Sequence, residues 1–135
     1  GLQKALDMML TGKQLRAVQA KKAMEDGWSI VIFPEGTIPE EHIPQMIPFK
    51  IGAFRLAKNL NVPVLTLTFT QNFHLFSDPT QILGPAHPGV VEVHIHPYIS
   101  VEEVAASSIE EISDKCFDLI EAPIRLAHPK LFKKL

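Results

Sequence analysis

The chain has 135 residues, a formal net charge of -2 and 46% hydrophobic residues. This length is typical of one domain with its own core, and we predict a single domain over residues 1–135. Because acidic residues outnumber Lys and Arg, the composition excludes the broad basic surface of a nucleic-acid-binding protein. The single cysteine, Cys116, cannot form an internal disulfide, and its apolar helical surroundings predict a buried, reduced thiol.

The first part of the chain predicts two helices followed by a strand. Apolar residues recur at helical spacing from Leu6 to Met24, and Gly12 divides a short first helix from a second one. The second helix should end at residues 26–27, where Gly27 supplies a left-handed cap. Residues 28–33 are apolar and β-branched without alternation, which predicts a strand covered on both faces by helices.

This predicted strand runs into a Pro-Glu-Gly turn at residues 34–36. Pro34 removes a ladder donor, and Gly36 permits the positive φ that a sharp exit requires. Glu35 is therefore expected at the carboxyl end of a strand, where ligands gather in open α/β sheets. A solvated Glu in an ordinary turn would give the same sequence, so both interpretations stay open at this point.

The middle of the chain predicts a crossover unit. Three prolines between residues 37 and 48 exclude a helix and favour a long loop. A helix from Lys50 to about Asn61 and a strand over residues 62–69 follow. Right-handed parallel pairing of this strand with residues 28–33 is the expected arrangement.

The last part of the chain predicts one more strand and a long helix. Over residues 90–96, Val and Ile alternate with Glu and His, which favours an edge strand whose polar side chains face water. A short strand is also predicted at residues 82–83. Ser100 and Glu103 form a capping-box pattern for one long helix that Pro123 bends or ends. The fold class is therefore α/β, with a mostly parallel or mixed sheet flanked by helices.

Four motifs then point to a family by their order along the chain. They are Phe-Pro-Glu-Gly-Thr at 33–37, Pro-Phe-Lys-Ile-Gly-Ala-Phe at 48–54, Val-Pro-Val-Leu at 62–65 and Val-His-Ile-His-Pro at 93–97. This order resembles the glycerophospholipid acyltransferase family, and the resemblance extends from about residue 13 to residue 122. It implies an enzyme of phospholipid biosynthesis that transfers a fatty acyl chain from acyl-CoA or acyl-ACP, as co-substrate, to glycerol phosphate or a lysophospholipid. It also implies no further cofactor and a cytoplasmic location, peripheral to the inner face of the membrane.

The resemblance implies that Glu35, Gly36 and Thr37 help to bind the acyl acceptor. Residues 38–39 are Ile-Pro where the family usually has Arg and Ser, so the usual cation is absent from this block. Lys50 is a further substrate-binding candidate, because the amides and dipole of the predicted helix start favour an anion there. The alternative is that Lys50 is simply solvated.

The family's general base, as the resemblance implies it, does not occur in this sequence. That base is a His upstream of the Pro-Glu-Gly block, followed after four residues by an Asp that orients it. All six His lie downstream of Glu35, and none has an Asp at that spacing. The family's second block, with its Arg, is likewise not found before Phe33. We therefore assign no catalytic residue, interpret the chain as the carboxyl-terminal part of an acyltransferase domain, and expect it to be inactive alone.

Other interpretations remain open. The main alternative is a non-catalytic module that binds a phosphate-bearing ligand or a protein. His94 and His96 are conceivable metal ligands, but no third ligand has a fitting spacing, so no metal site is predicted. The basic and apolar residues 130–135 could contact a membrane surface, although a frayed terminus would look alike. A domain that lacks strands would expose apolar edges and could self-associate.

Overall fold

A computed structural model of the chain describes residues 12–37, 43–75 and 88–132, with side chains from residue 17 onward within them. The chain divides into two compact units, residues 1–33 and residues 34–135. The helix predicted before Gly12 and the strand predicted at 82–83 lie outside the described residues. The single domain over residues 1–135 stays a prediction.

The first unit contains helix α1 (Gly12–Glu25). Gly27 follows it with a φ of 86°, and its amide donates to the Met24 carbonyl at 3.0 Å. The next amide, that of Trp28, donates to the Ala23 carbonyl at 2.9 Å. These bonds satisfy carbonyls that the helix end leaves unpaired, and they confirm the predicted glycine cap.

The strand predicted at residues 28–33 is not observed. These residues have no regular secondary structure, and Val31 and Phe33 are 79% and 78% exposed. The prediction was wrong because an apolar, β-branched run only favours a strand. A strand forms when its backbone donors and acceptors pair with a neighbour, and composition does not supply that neighbour.

The second unit contains two strands and four helices among its described residues. Its strands are β1 (Leu67–Phe69) and β2 (Val93–Ile95), and its helices are α2 (Gly52–Leu60), α3 (Asn72–Leu75), α4 (Val101–Ala106) and α5 (Ile109–Ala127). None of the helices described here is long and apolar enough to cross a bilayer.

The sheet of the second unit is antiparallel. Leu67 lies opposite Ile95 and Phe69 opposite Val93, and an antiparallel bridge between Val64 and Ile99 continues the pairing. The strands predicted at 62–69 and 90–96 are therefore present, but shorter. The parallel sheet of the predicted α/β class is not shown by the described residues, because β1 pairs with a strand that runs in the opposite direction.

The long helix predicted after Ser100 is two helices. Ser100 caps α4, and Ser108 begins α5 with a full capping box in which it exchanges hydrogen bonds with Glu111. This second cap starts a new helix because it satisfies amides at an internal break. Pro123 lies inside α5, which continues to Ala127.

The core of the second unit lies between α2, α4 and α5. Cys116 in α5 is buried, as predicted, and burial raises the pKa of its thiol to about 11. Val64 and Phe49 pack against this core from outside. Its buried members are Phe54, Ile99, Val104, Ile112 and Cys116.

The sheet turns its polar face, not its apolar face, toward α5. Thr66, Thr68 and Thr70 are buried, whereas Ile95 on the opposite face is 72% exposed. The predicted orientation of the 90–96 strand was therefore wrong. The polar face can be buried because the Thr68 hydroxyl donates to the Ile120 carbonyl of α5 at 3.2 Å, which provides a hydrogen bond inside the packed layer.

Candidate functional site

The Pro-Glu-Gly turn folds back onto the segment that precedes α2. The half-buried Glu35 carboxylate accepts a hydrogen bond from the Ile47 amide, with 3.0 Å between Oε2 and the nitrogen. The Pro34 carbonyl accepts from the Lys50 amide at 2.8 Å. Two hydrogen bonds therefore join residues 34–36 to residues 47–50, and we call this contact the turn junction.

Gly36 leaves the space that the Lys50 side chain occupies. Gly36 has a φ of 68°, in the left-handed region that favours glycine. A Cβ at this position would lie 2.8 Å from Lys50 Nζ and 2.9 Å from Lys50 Cδ. The structure thus brings Glu35, Gly36 and Lys50 together. Thr37 lies beside them and is exposed.

The start of α2 follows directly after Lys50, and the acidic side chains of Glu110 and Asp114 line the same pocket as Ile51. Ile51 is the N-cap residue and makes no side-chain capping bond, and the first turn contains no acidic residue. A Cβ on Gly52 would meet no atom of the described residues within 4 Å. Unsatisfied amides, the helix dipole and an ammonium group therefore favour an anion at this position.

Aromatic packing fixes the backbone on both sides of Lys50. The Phe49 ring stacks on Phe54 at 6.2 Å and meets Phe117 of α5 edge-on at 5.0 Å. Phe54, four residues after Lys50, is only 4% exposed. Because Phe49 and Phe54 are both packed in the core, the position of the Lys50 backbone between them follows from the packing of α2 and α5.

A groove of about 920 Å³ lies between β2 and α5. Acidic side chains line it, among them Glu92, Asp114 and Asp118. Its one lysine, Lys115, pairs with Glu103. The groove therefore disfavours a phosphate, since like charges repel.

The groove also contains a carboxylate–imidazole pair that the sequence analysis missed. His94 Nε2 lies 3.1 Å from Glu92 Oε1, and the Thr70 hydroxyl donates to Glu92 Oε2 at 3.2 Å. This pair does not have the spacing of the family's His and Asp, which lie five positions apart. The signal for this pair is instead the period of two along a strand, which places residues 92 and 94 on one face. Burial and the neighbouring His94 lower the pKa of His96.

Within the described ranges, no group of three or more His, Cys, Asp or Glu side chains is placed to hold a metal ion. These residues therefore provide no third ligand that could complete a metal site with His94 and His96. His96 instead contacts the Thr68 hydroxyl, with 2.8 Å between Nε2 and Oγ1.

Comparison with known proteins identifies the family. A family model described as Acyltransferase matches residues 8–70, a range that holds the turn junction and all of α2. An uncharacterized acyltransferase of Schizosaccharomyces pombe is 36% identical over 71 residues, which are 53% of this chain and 25% of that protein. The 1-acyl-sn-glycerol-3-phosphate acyltransferase of Saccharomyces cerevisiae is 30% identical over 116 residues, 86% of this chain and 35% of the relative. The chain belongs to the glycerophospholipid acyltransferase family.

A mammalian member of the family shows how far the similarity extends. The 1-acyl-sn-glycerol-3-phosphate acyltransferase alpha of Mus musculus is 26% identical over 111 residues, 81% of this chain and 38% of its own length. This acyltransferase chain thus spans between a quarter and two-fifths of the length of the three relatives. No solved structure matches it.

Proposed function

We propose that this chain carries the acceptor-binding part of an enzyme that transfers a fatty acyl group to the free hydroxyl of a 1-acylglycerol 3-phosphate. The thioester of acyl-CoA or acyl-ACP supplies the acyl group, and no further cofactor takes part. Glu35, Gly36, Thr37 and Lys50 build the acceptor site, and Lys50 with the first amides of α2 binds the phosphate. The protein acts in the cytoplasm, at the inner face of the membrane.

The observation that carries this proposal is that Lys50, whose ammonium lies against Gly36, directly precedes the start of α2. A phosphate monoester has the charge and the acceptor oxygens that match a lysine and free amides. The names of the relatives give the acceptor class, since several are called 1-acyl-sn-glycerol-3-phosphate acyltransferases.

Calorimetric titration with a short-chain 1-acylglycerol 3-phosphate tests the phosphate site. We expect binding, and no binding of the monoacylglycerol that lacks the phosphate. Lys50→Ala should weaken affinity about tenfold, because a charge-assisted hydrogen bond is lost. The matched control is Lys22→Ala on the exposed surface of α1, which should bind as the wild type does. Equal affinity for the two ligands would contradict the proposal.

Chemistry requires a general base that this sequence does not contain in the family's arrangement. No His in the 135 residues is followed five positions later by Asp. We therefore propose that the chain alone binds acceptor without turnover. Incubation with acyl-CoA and 1-acylglycerol 3-phosphate should give no diacyl product above background. Turnover above background would contradict this.

The same sequence observation favours one alternative function, a module that binds a phosphorylated lipid without chemistry. Supplying the base in trans distinguishes the two. If a segment of a relative that carries its His and Asp restores turnover when mixed with this chain, the acyltransferase assignment holds. If binding is intact and turnover never appears, the binding module is the better description.

A further inference from the structure

The Glu35 carboxylate already has a partner within the protein. Its Oε2 accepts from the Ile47 amide in a half-buried position. A backbone amide matches a carboxylate in charge and hydrogen-bonding role, whereas a phosphate would repel it. This hydrogen bond therefore indicates that a group other than Glu35 contacts the phosphate.

The position of the Lys50 side chain depends on the absence of a side chain at residue 36. Nζ and Cδ of Lys50 occupy the space where a Cβ of residue 36 would lie, at 2.8 and 2.9 Å. The Lys50 amide is tied to the carbonyl of Pro34 in the same turn. The Lys50 backbone is thus held by residue 34, and its side chain lies in the space left open at residue 36.

We infer that Glu35 and Gly36 are positioning residues that hold the Lys50 ammonium over the turn for the acceptor phosphate, and that neither one contacts the acceptor. This inference rests on the proposed function for the identity of the ligand. Glu35 acts by holding residue 47 through its amide, and Gly36 acts by leaving room for the lysine. Lys50 is then the side chain of this group that touches the phosphate.

The first experiment compares Gly36→Ala with Gly27→Ala. Both glycines have positive φ, 68° and 86°, so both variants introduce the same kind of backbone strain. A Cβ at Gly27 meets no atom of the described part of the chain within 4 Å, whereas one at Gly36 meets Lys50. The readouts are the NMR shift of the ¹³C-labelled Lys50 ε-carbon, assigned with Lys50→Arg, and affinity for a short-chain 1-acylglycerol 3-phosphate.

Gly36→Ala should shift the Lys50 signal and weaken affinity about tenfold, the effect expected of losing the ammonium contact. Gly27→Ala should change neither. If Gly36→Ala, folded by circular dichroism, leaves the Lys50 signal in place, the inference is wrong for Gly36. Equal losses of affinity in both variants would also overturn it, since strain alone would then explain them.

The second experiment compares Glu35→Gln with Glu35→Ala. The Gln side chain removes the charge but keeps an oxygen that can accept from the Ile47 amide, whereas Ala keeps neither. Glu35→Gln should therefore retain affinity within about twofold, and Glu35→Ala should lose about tenfold while hydrogen exchange of the Ile47 amide accelerates. If Glu35→Gln loses as much as Glu35→Ala, the charge itself contacts the acceptor and the inference fails.

The two proposals fail in different ways. If the wild-type chain does not bind the phosphate-bearing ligand, the proposed function fails. The Lys50 shift in Gly36→Ala and the Ile47 exchange rate in Glu35→Ala still report on the turn junction in that case. If binding is intact and both of these signals stay unchanged, the positioning role fails while the proposed function holds.

Discussion

Two segments of this chain, residues 28–33 and residues 64–70, are both mainly apolar and have different structures. Both are rich in Val, Ile, Leu and Phe, and both predict a strand. Residues 64–70 contain β1 and the bridge at Val64, and they bury one face against the rest of the second unit. Residues 28–33 have no regular structure, and Trp28 is 70% exposed. Hydrophobic composition therefore marks a potential strand, and a partner and a covered face decide whether it forms.

The segment that does form a strand buries its threonines, not its leucines. Thr68 is 1% exposed, whereas Leu65 and Phe69 are 55% and 41% exposed. The buried hydroxyls of Thr68 and Thr70 have hydrogen-bond partners. The difference between the two segments thus includes specific polar contacts, which a hydropathy pattern does not describe.

The largest expected loss of unfolding free energy comes from shortening a side chain in the core against which residues 64–70 pack. Ile112→Ala should destabilise the chain by about 2–5 kcal/mol, because Ile112 is fully buried and a cavity would remain. Val31→Ala, in the exposed segment, should change the free energy of unfolding by less than about 0.5 kcal/mol. Urea unfolding followed by far-ultraviolet circular dichroism measures both. A Val31→Ala cost similar to that of Ile112→Ala would show that residues 28–33 are packed in solution.

A smaller effect should separate two threonines of the same strand face. Thr68→Val removes hydrogen bonds to Ile120 and His96 and should cost about 1–2 kcal/mol. The Thr66 hydroxyl is buried without a hydrogen-bond partner among the described residues, so Thr66→Val should be neutral or stabilising by up to about 1 kcal/mol. Equal losses of unfolding free energy would show that the contacts of Thr68 do not stabilise the face.

The smallest effect should be a pH dependence from His96. Burial, with a contribution from His94, holds the pKa of His96 below its ordinary value of 6.5. The unfolded chain therefore binds the proton more readily, and this contribution to stability is present above pH 6.5 and declines as pH falls below it. His96→Gln should flatten the decline in unfolding free energy between pH 7.5 and pH 5.5. An unchanged slope in this variant would exclude His96 as its source.

Local chemistry predicted some of the element ends. The cap at Gly27 and the start of α4 at Ser100 follow from groups within a few residues of each other. The turn at residues 34–36 is predictable for the same reason. The partners of these elements were not predictable, because they come from distant parts of the chain.

In the candidate site, too, the contacts between distant residues could not be predicted from the sequence. The sequence and the family resemblance selected Glu35, Gly36, Thr37 and Lys50 as a group. They did not reveal that Glu35 would accept from an amide 12 residues away, because the intervening loop sets that distance. The pairing of Glu92 with His94 was not predicted, because its spacing of two residues differs from that of the family's His and Asp.

The placement of the single tryptophan affects how this protein must be studied. Trp28 lies in the first unit, whereas the buried cluster around Ile112 belongs to the second. Since the indole is already largely in contact with water, its emission should be red-shifted before any denaturant is added. Fluorescence would then remain almost silent while the second unit melts, and a spectroscopist relying on it alone would record no transition.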